Sequence, residues 1–116
     1  MAVKLSQVVI DCADPERLAT FWCEVLGWQV VDRDEDEFEI GGTGDGPTLL
    51  LDRAPDAKVG KNRLHLDLTP TGDQQTEVER IIALGARRID IGQGDVTWVV
   101  LADPEGNEFC VLRGNA

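Results

Sequence analysis

Histidine occurs once in the chain, at position 65, inside the alternating run RLHLDLTP. An imidazole can ligate a metal, carry a proton or hydrogen-bond a ligand, and where the strand points it decides which of these is open. Side chains alternate faces along a strand, so Asp67 shares the face of His65 while Leu66 and Leu68 point the other way. If the leucines cover a helix, His65 and Asp67 look toward the opposite side of the sheet, where a carboxylate beside an imidazole can move a proton or hold a ligand.

An internal repeat gives His65 a counterpart. Aligning Leu26-Gly27-Trp28 with Leu84-Gly85-Ala86 sets an offset of 58 residues, which places Val8 over Leu66, Ile10 over Leu68 and Gln7 over His65. Two strands thus carry a polar side chain at one equivalent place, facing away from their helices. Neither reads as an ordinary core position.

The elements that must position these residues are legible from periodicity and caps. The β-branched stretch from Leu5 to Ala13 predicts a strand that ends at Asp14-Pro15. Asp14 is the expected N-cap and Pro15 the first helical residue, where a missing N–H breaks no bond. Leu18, Phe21, Trp22, Val25 and Leu26 then follow the spacing of one buried helical stripe, and Gly27 supplies the left-handed terminus. WQVVDRD, EFEIGG and TLLLDR read as three short strands, with an acidic turn at Asp34 to Asp36 between the first two. The second half repeats this order. RLHLDLTP is a strand, GDQQTEVERIIALG a helix with Val78, Ile81, Ile82 and Leu84 inward and Gly85 as cap, and ARRIDIG, VTWVVLADP and NEFCVLR are strands. The polar stretch from Ala54 to Asn62, with Pro55 and Gly60, has the composition of a linker. The expected organisation is a module over 1–53, a linker over 54–62 and a module over 63–116.

Composition narrows the partners. With 22 acidic against 11 basic residues the formal charge is −11, which repels nucleic-acid phosphates and anionic lipid and favours a cationic guest. No apolar run approaches the roughly 20 residues of a membrane span, and MAVKLSQVV lacks the form of a signal segment, so a cytoplasmic protein is expected. Cys12, Cys23 and Cys110 are odd in number and form no CxxC pair, which predicts reduced thiols rather than a disulfide framework or zinc knuckle. GGTGDGP lacks the lysine and following helix of a phosphate-binding loop and suits a mobile lip instead.

The paired βαβββ order, the helix DPERLATFWCEVLGW, the strand RLHLDL and the closing DPEGNEFCV resemble the vicinal oxygen chelate superfamily. That group includes glyoxalase I, extradiol dioxygenases and bleomycin resistance proteins, and the likeness is narrower still to bacterial glyoxalase-like domains. The resemblance covers nearly the whole chain. It implies an α+β fold of two tandem βαβββ modules whose mixed sheet curves into a cup, with the helices outside. It also implies a small-molecule ligand, a homodimer and, in metal-dependent members, one divalent cation held by side chains from the first and last strands of each module. Carried over by position, Gln7 and His65 stand at the two first-strand places. Cys110 falls at the last-strand place of module two, where the family usually has glutamate, with Glu108 two residues earlier. Its counterpart in module one is Leu50 if Arg53 is matched to Arg113, or Asp52 if the offset of 58 is kept.

The implied metal set is therefore Gln7, His65, Cys110 and Asp52. Zinc, nickel, iron or manganese are the candidate ions, histidine and cysteine suiting the softer of them. The implied ligand-binding residues are Gln7, His65, Asp67 and Cys110, with Glu108 or Asp67 as catalytic proton carrier. Each has a plainer reading beside it: His65 and Gln7 as polar cavity residues, Cys110 as a small apolar filler, Asp67 and Glu108 as solvated strand ends. Two functions follow, a binding protein that holds a small molecule without chemistry, or a divalent-metal lyase, isomerase or dioxygenase acting on an oxygen-chelating substrate.

Overall fold

A single turn of capping chemistry starts the helix in each half of the molecule. In the computed structural model, which describes all residues except Met1, Val3, Asp56, Asn115 and Ala116, Asp14 accepts a hydrogen bond from the Arg17 backbone N–H at 3.2 Å and opens helix α1, Pro15–Leu26. Asp73 does the same for Thr76 at 2.9 Å and opens helix α2, Gln74–Ala83. Gly27 ends α1 in the left-handed conformation at φ 68°, where a Cβ would be strained. At the end of α2 the expected glycine cap falls one residue later than the cap itself: Leu84 closes the helix in right-handed geometry, and Gly85 takes the positive φ beyond it.

The strands are β1 (Gln7–Cys12), β2 (Gln29–Arg33), β3 (Glu37–Gly41) and β4 (Thr48–Arg53) in the first half. In the second they are β5 (Leu66–Leu68), β6 (Arg87–Arg88), β7 (Val99–Ala102) and β8 (Glu108–Val111). They form two four-stranded mixed sheets, ordered β1-β4-β3-β2 and β5-β8-β7-β6. In each, the first strand pairs in parallel with the last and the others are antiparallel. This is the α+β arrangement of two tandem βαβββ modules. The chain divides after Ala57, so the stretch read as a linker is shared out, with Lys58 to Asn62 belonging to the second unit. Asp56 lies outside the described residues.

The helices cover one face of their sheets unequally. Leu18, Phe21 and Trp22 of α1 are buried, Phe21 and Trp22 meeting edge to face at 5.1 Å, against Phe38, Ile40, Leu49 and Leu51. Of α2 only Val78 and Ile81 are buried, while Ile82 and Leu84 are partly exposed. Strand β6 is two residues long where ARRIDIG predicted a full strand: Arg87 and Arg88 pair in register with β7, and the Ile89 backbone N–H adds one last bond to the Val100 carbonyl at 3.2 Å.

Candidate functional site

Strand register decides what shares the face turned away from each helix. In the second module Asp67 pairs with Cys110, and Leu66 and Leu68 pair with the buried Phe109 and Val111 on the helix side. His65, two residues before Asp67, falls with it. The ligand atoms of His65, Asp67 and Cys110 all lie within 4.8 Å of one another, and among the described residues no other three His, Cys, Asp or Glu side chains do so. His65 Nε2 stands 3.0 Å from Asp67 Oδ1, hydrogen-bond distance and an ion pair when the imidazole is doubly protonated. Both side chains are about half exposed, at 46% and 50%, so a ligand can reach them. Cys110 is buried at 6%; burial and then the negative charge of Asp67 push its thiol pKa up, with Lys61 pulling against them.

These three residues line an open pocket of about 430 Å³. Ile91, Trp98, Val100 and Leu112 make its apolar wall, and Lys61, Gln93 and Glu108 add polar groups. A few convergent polar groups on an apolar wall is the usual make-up of a small-molecule site. Trp98, at 40% exposure, is one of the large apolar side chains left open to solvent.

Glu108 differs from Asp67 in having its carboxylate engaged. It is 7% exposed, its Oε1 accepts from the Asn62 backbone N–H at 2.9 Å, and its Oε2 lies 2.9 Å from Lys58 Nζ, at ion-pair distance though off the hydrogen-bonding angle. Burial alone would raise its pKa, but the Lys58 and Asn62 interactions outweigh it and hold the carboxyl below the ordinary range. The Asn62 side chain also donates to the Glu108 carbonyl at 3.0 Å, and Lys58 Nζ donates to the Gly60 carbonyl. Glu108 thus anchors the strap from Lys58 to Asn62 beside the pocket. Lys58, Lys61 and Asn62 were absent from the sequence-derived site. Their only signal was an unusual run of polar and basic residues in a stretch of linker composition.

The matching face of the first module carries Gln7, Val9 and Asp11 on β1 opposite Thr48, Leu50 and Asp52 on β4. The pairing Val9 to Leu50 is the register equivalent of Asp67 to Cys110, so Leu50, not Asp52, stands where Cys110 does. Asp52 instead sits between Asp11 on β1 and Glu37 on β3, a cross-strand row of three carboxylates. Burial first, then Asp34, Asp52, Asp32 and Asp36, raise the Glu37 pKa. Gln7, half-buried, pairs with Thr48, whose hydroxyl donates to Glu39 at 2.8 Å. Gln7 and Asp52 belong to this unit, and His65, Asp67 and Cys110 to the other.

A metal would have to fit the donors present. Around a tetrahedral zinc-like ion with bonds of roughly 2.0 to 2.3 Å, neighbouring ligand atoms lie roughly 3.2 to 3.8 Å apart. The His65, Asp67 and Cys110 atoms are within small side-chain movements of that spacing. One nitrogen, one carboxylate oxygen and one sulfur suit a borderline cation and leave a fourth position open, whereas a hard ion prefers an all-oxygen shell.

The model of the glyoxalase-like domain family matches residues 7–112. No curated protein matches the chain closely enough to count as a relative. Among solved structures, a glyoxalase/bleomycin resistance protein/dioxygenase family enzyme from Burkholderia phytofirmans superposes with TM-score 0.75 at 21% identity, over 94% of this chain and 97% of that one. A possible glyoxalase from Bacillus cereus does so with TM-score 0.73 at 16% identity, over 96% and 99%. The fosfomycin resistance protein FosX from Listeria monocytogenes, solved with Mn(II) and a dihydroxypropylphosphonic acid, has TM-score 0.73 at 16% identity, over 99% and 93%. At these identities the likeness concerns the fold. No helix among the described residues is long and apolar enough to cross a membrane.

Proposed function

Because the chain belongs to the glyoxalase-like domain family, we propose that it binds a small organic molecule in the second-module pocket, with His65, Asp67 and Cys110 at the polar end and Trp98 and Ile91 against the apolar part. The observation that carries this reading is the convergence of those three side chains on one wall of an otherwise apolar pocket. The test is a thermal-shift panel of α-hydroxy acids, catechols and small aromatic amines on the purified protein, with and without a chelator. A binder should raise the melting temperature of the parent and lose that effect in Trp98→Ala. A panel with no such compound, or shifts unchanged by Trp98→Ala, removes the pocket as the binding site.

The second reading is a divalent-metal-dependent lyase, isomerase or dioxygenase acting on an oxygen-chelating substrate, favoured by the same three donors and by the Mn(II) bound to FosX. A bound cation would supply polarisation of a substrate oxygen. The chain's own part is to orient the substrate against Trp98 and Ile91 and to move a proton through Asp67 or Glu108. Asp67 is the more open of the two. Glu108 is held ionised by Lys58 and can accept a proton only as a weakened base. Metal-dependent turnover lost in both Asp67→Asn and Glu108→Gln would speak for this reading, and turnover surviving both would remove these carboxylates from it.

A homodimer and a cytoplasmic location complete the proposal. Edge strand β2 is exposed along its length and presents Val30 and Val31 to solvent, a surface a second copy can cover, and sedimentation at two concentrations tests it. Three free cysteines suit a reducing compartment.

A further inference from the structure

The donors in the second module differ in kind from those that hold a hard cation, and the difference sits in one side chain. Cys110 is a sulfur where a carboxylate would complete an oxygen-rich shell, and it lies within 4.8 Å of both His65 and Asp67. Sulfur binds manganese and magnesium poorly and zinc, cobalt and nickel well. The geometry is also specific to this face. Asp67 reaches the cluster because β5 pairs with β8 in the register that sets it beside Cys110. His65 joins because it stands two residues earlier on the same side, its Nε2 3.0 Å from Asp67 Oδ1. The buried sulfur is at the floor, the two half-exposed groups at the rim, and the apolar wall with Trp98 lies alongside.

We propose that His65, Asp67 and Cys110 form a three-donor site, drawn entirely from the second module, that takes a borderline divalent cation of the zinc, cobalt or nickel kind in preference to manganese or magnesium. The inference rests on the reading of this pocket as the binding site and sharpens it. The thiol binds as thiolate and its proton passes to solvent on metal entry. Three protein donors leave a fourth position for water or a ligand oxygen, the arrangement of an open site rather than a closed structural one.

Cobalt is the probe that reads this directly, because a thiolate bound to Co(II) gives a near-ultraviolet charge-transfer band and four-coordination gives intense visible bands. Titrating the full chain with Co(II) should produce both at one equivalent. Zn(II) should abolish them, and Mn(II) at the same concentration should not. Cys110→Ser should lose the charge-transfer band, and His65→Ala and Asp67→Asn should each weaken cobalt binding at least about tenfold, as loss of one donor from a three-donor set requires. Asp67 is half exposed, so Asp67→Asn keeps the test valid if a Cys110 variant fails to fold.

Nitrogen and oxygen sites also prefer zinc to manganese to some degree. The deciding comparison is therefore Cys110→Asp, which should narrow the zinc-to-manganese affinity ratio by about tenfold or more. Absence of the thiolate band, or a ratio unmoved by Cys110→Asp, overturns the proposal and leaves His65 and Asp67 a surface ion pair over a filler cysteine. Ligand-induced thermal shifts that persist in chelator would then show that the pocket reading had survived without the metal.

Discussion

The two modules share one topology and divide its uses between them. The first, with 13 acidic and four basic residues up to Ala57, carries a formal −9; the second, with nine and seven, carries −2. The first also has the heavier core, with Leu18, Phe21 and Trp22 of α1 buried where α2 buries Val78 and Ile81. On the face away from the helix, the first module sets Val9 beside Leu50 and collects carboxylates around Glu37, while the second sets Asp67 beside Cys110 and adds His65. One register thus produces an inert apolar pair in one copy and a donor cluster in the other. A duplicated fold supplies positions, and the residue types at those positions decide whether a site exists.

Moving the donor set into the first module has the largest expected effect. Gln7→His, Val9→Asp and Leu50→Cys together reproduce the donor set at the equivalent register of the first module. Cobalt stoichiometry should rise from one to two, each site of micromolar affinity being worth roughly 8 kcal/mol of binding. Spectroscopic titration checks this, and a stoichiometry still at one means that register alone does not make the site.

Next in size is the core. Trp22→Ala removes the largest fully buried side chain and should cost about 3 to 5 kcal/mol in urea unfolding, whereas Ile81→Val in the lighter second core should cost about 0.5 to 1.5 kcal/mol. Equal losses would mean that the two cores are not graded as their burial suggests.

Glu108→Ala falls between these values. It leaves Lys58 and the Asn62 N–H without their carboxylate and should cost about 1 to 3 kcal/mol. It should also speed proteolysis within residues 58–62, measured by limited digestion.

The smallest effects lie in pH dependence, where two glutamates act with opposite sign. Glu108 has a lowered folded pKa, so its stabilisation is full above the ordinary glutamate value of about 4.3 and is lost as pH falls through the folded value below it. Glu37 has a raised folded pKa, so its penalty is present above that value and is relieved as pH falls through it toward the ordinary one. Unfolding titrations from neutral to acid pH should therefore show Glu108→Gln removing part of the acid loss and Glu37→Gln removing part of the acid gain. Curves that move in the same direction would undo the contrast.

Much of the scaffold could be read locally. Asp14, Pro15 and Gly27 bound α1 because capping acts within one turn, and the stripe from Leu18 to Trp22 marks the buried face because helical spacing does not depend on what lies opposite. The offset of 58 found the duplicated strands, and parity put His65 and Asp67 on one face. What the chain pattern left open was non-local. Arg53 matched to Arg113 and the offset of 58 gave different partners for Cys110, and only the β1–β4 register selects Leu50, because pairing depends on hydrogen bonds between residues some 40 positions apart.

The strap illustrates the same limit. Lys58 and Asn62 have linker composition, yet they close on Glu108 from 46 residues or more away along the chain. By itself the sequence determined the element order, the helix limits, the family and the face on which its one histidine stands, since each of these follows from short-range spacing. Tertiary structure alone decided that Cys110 meets Asp67 and His65, that Asp52 lies in a row of acids, and that Glu108 is engaged by a lysine. Those contacts are set by strand register and loop closure, which no local pattern encodes.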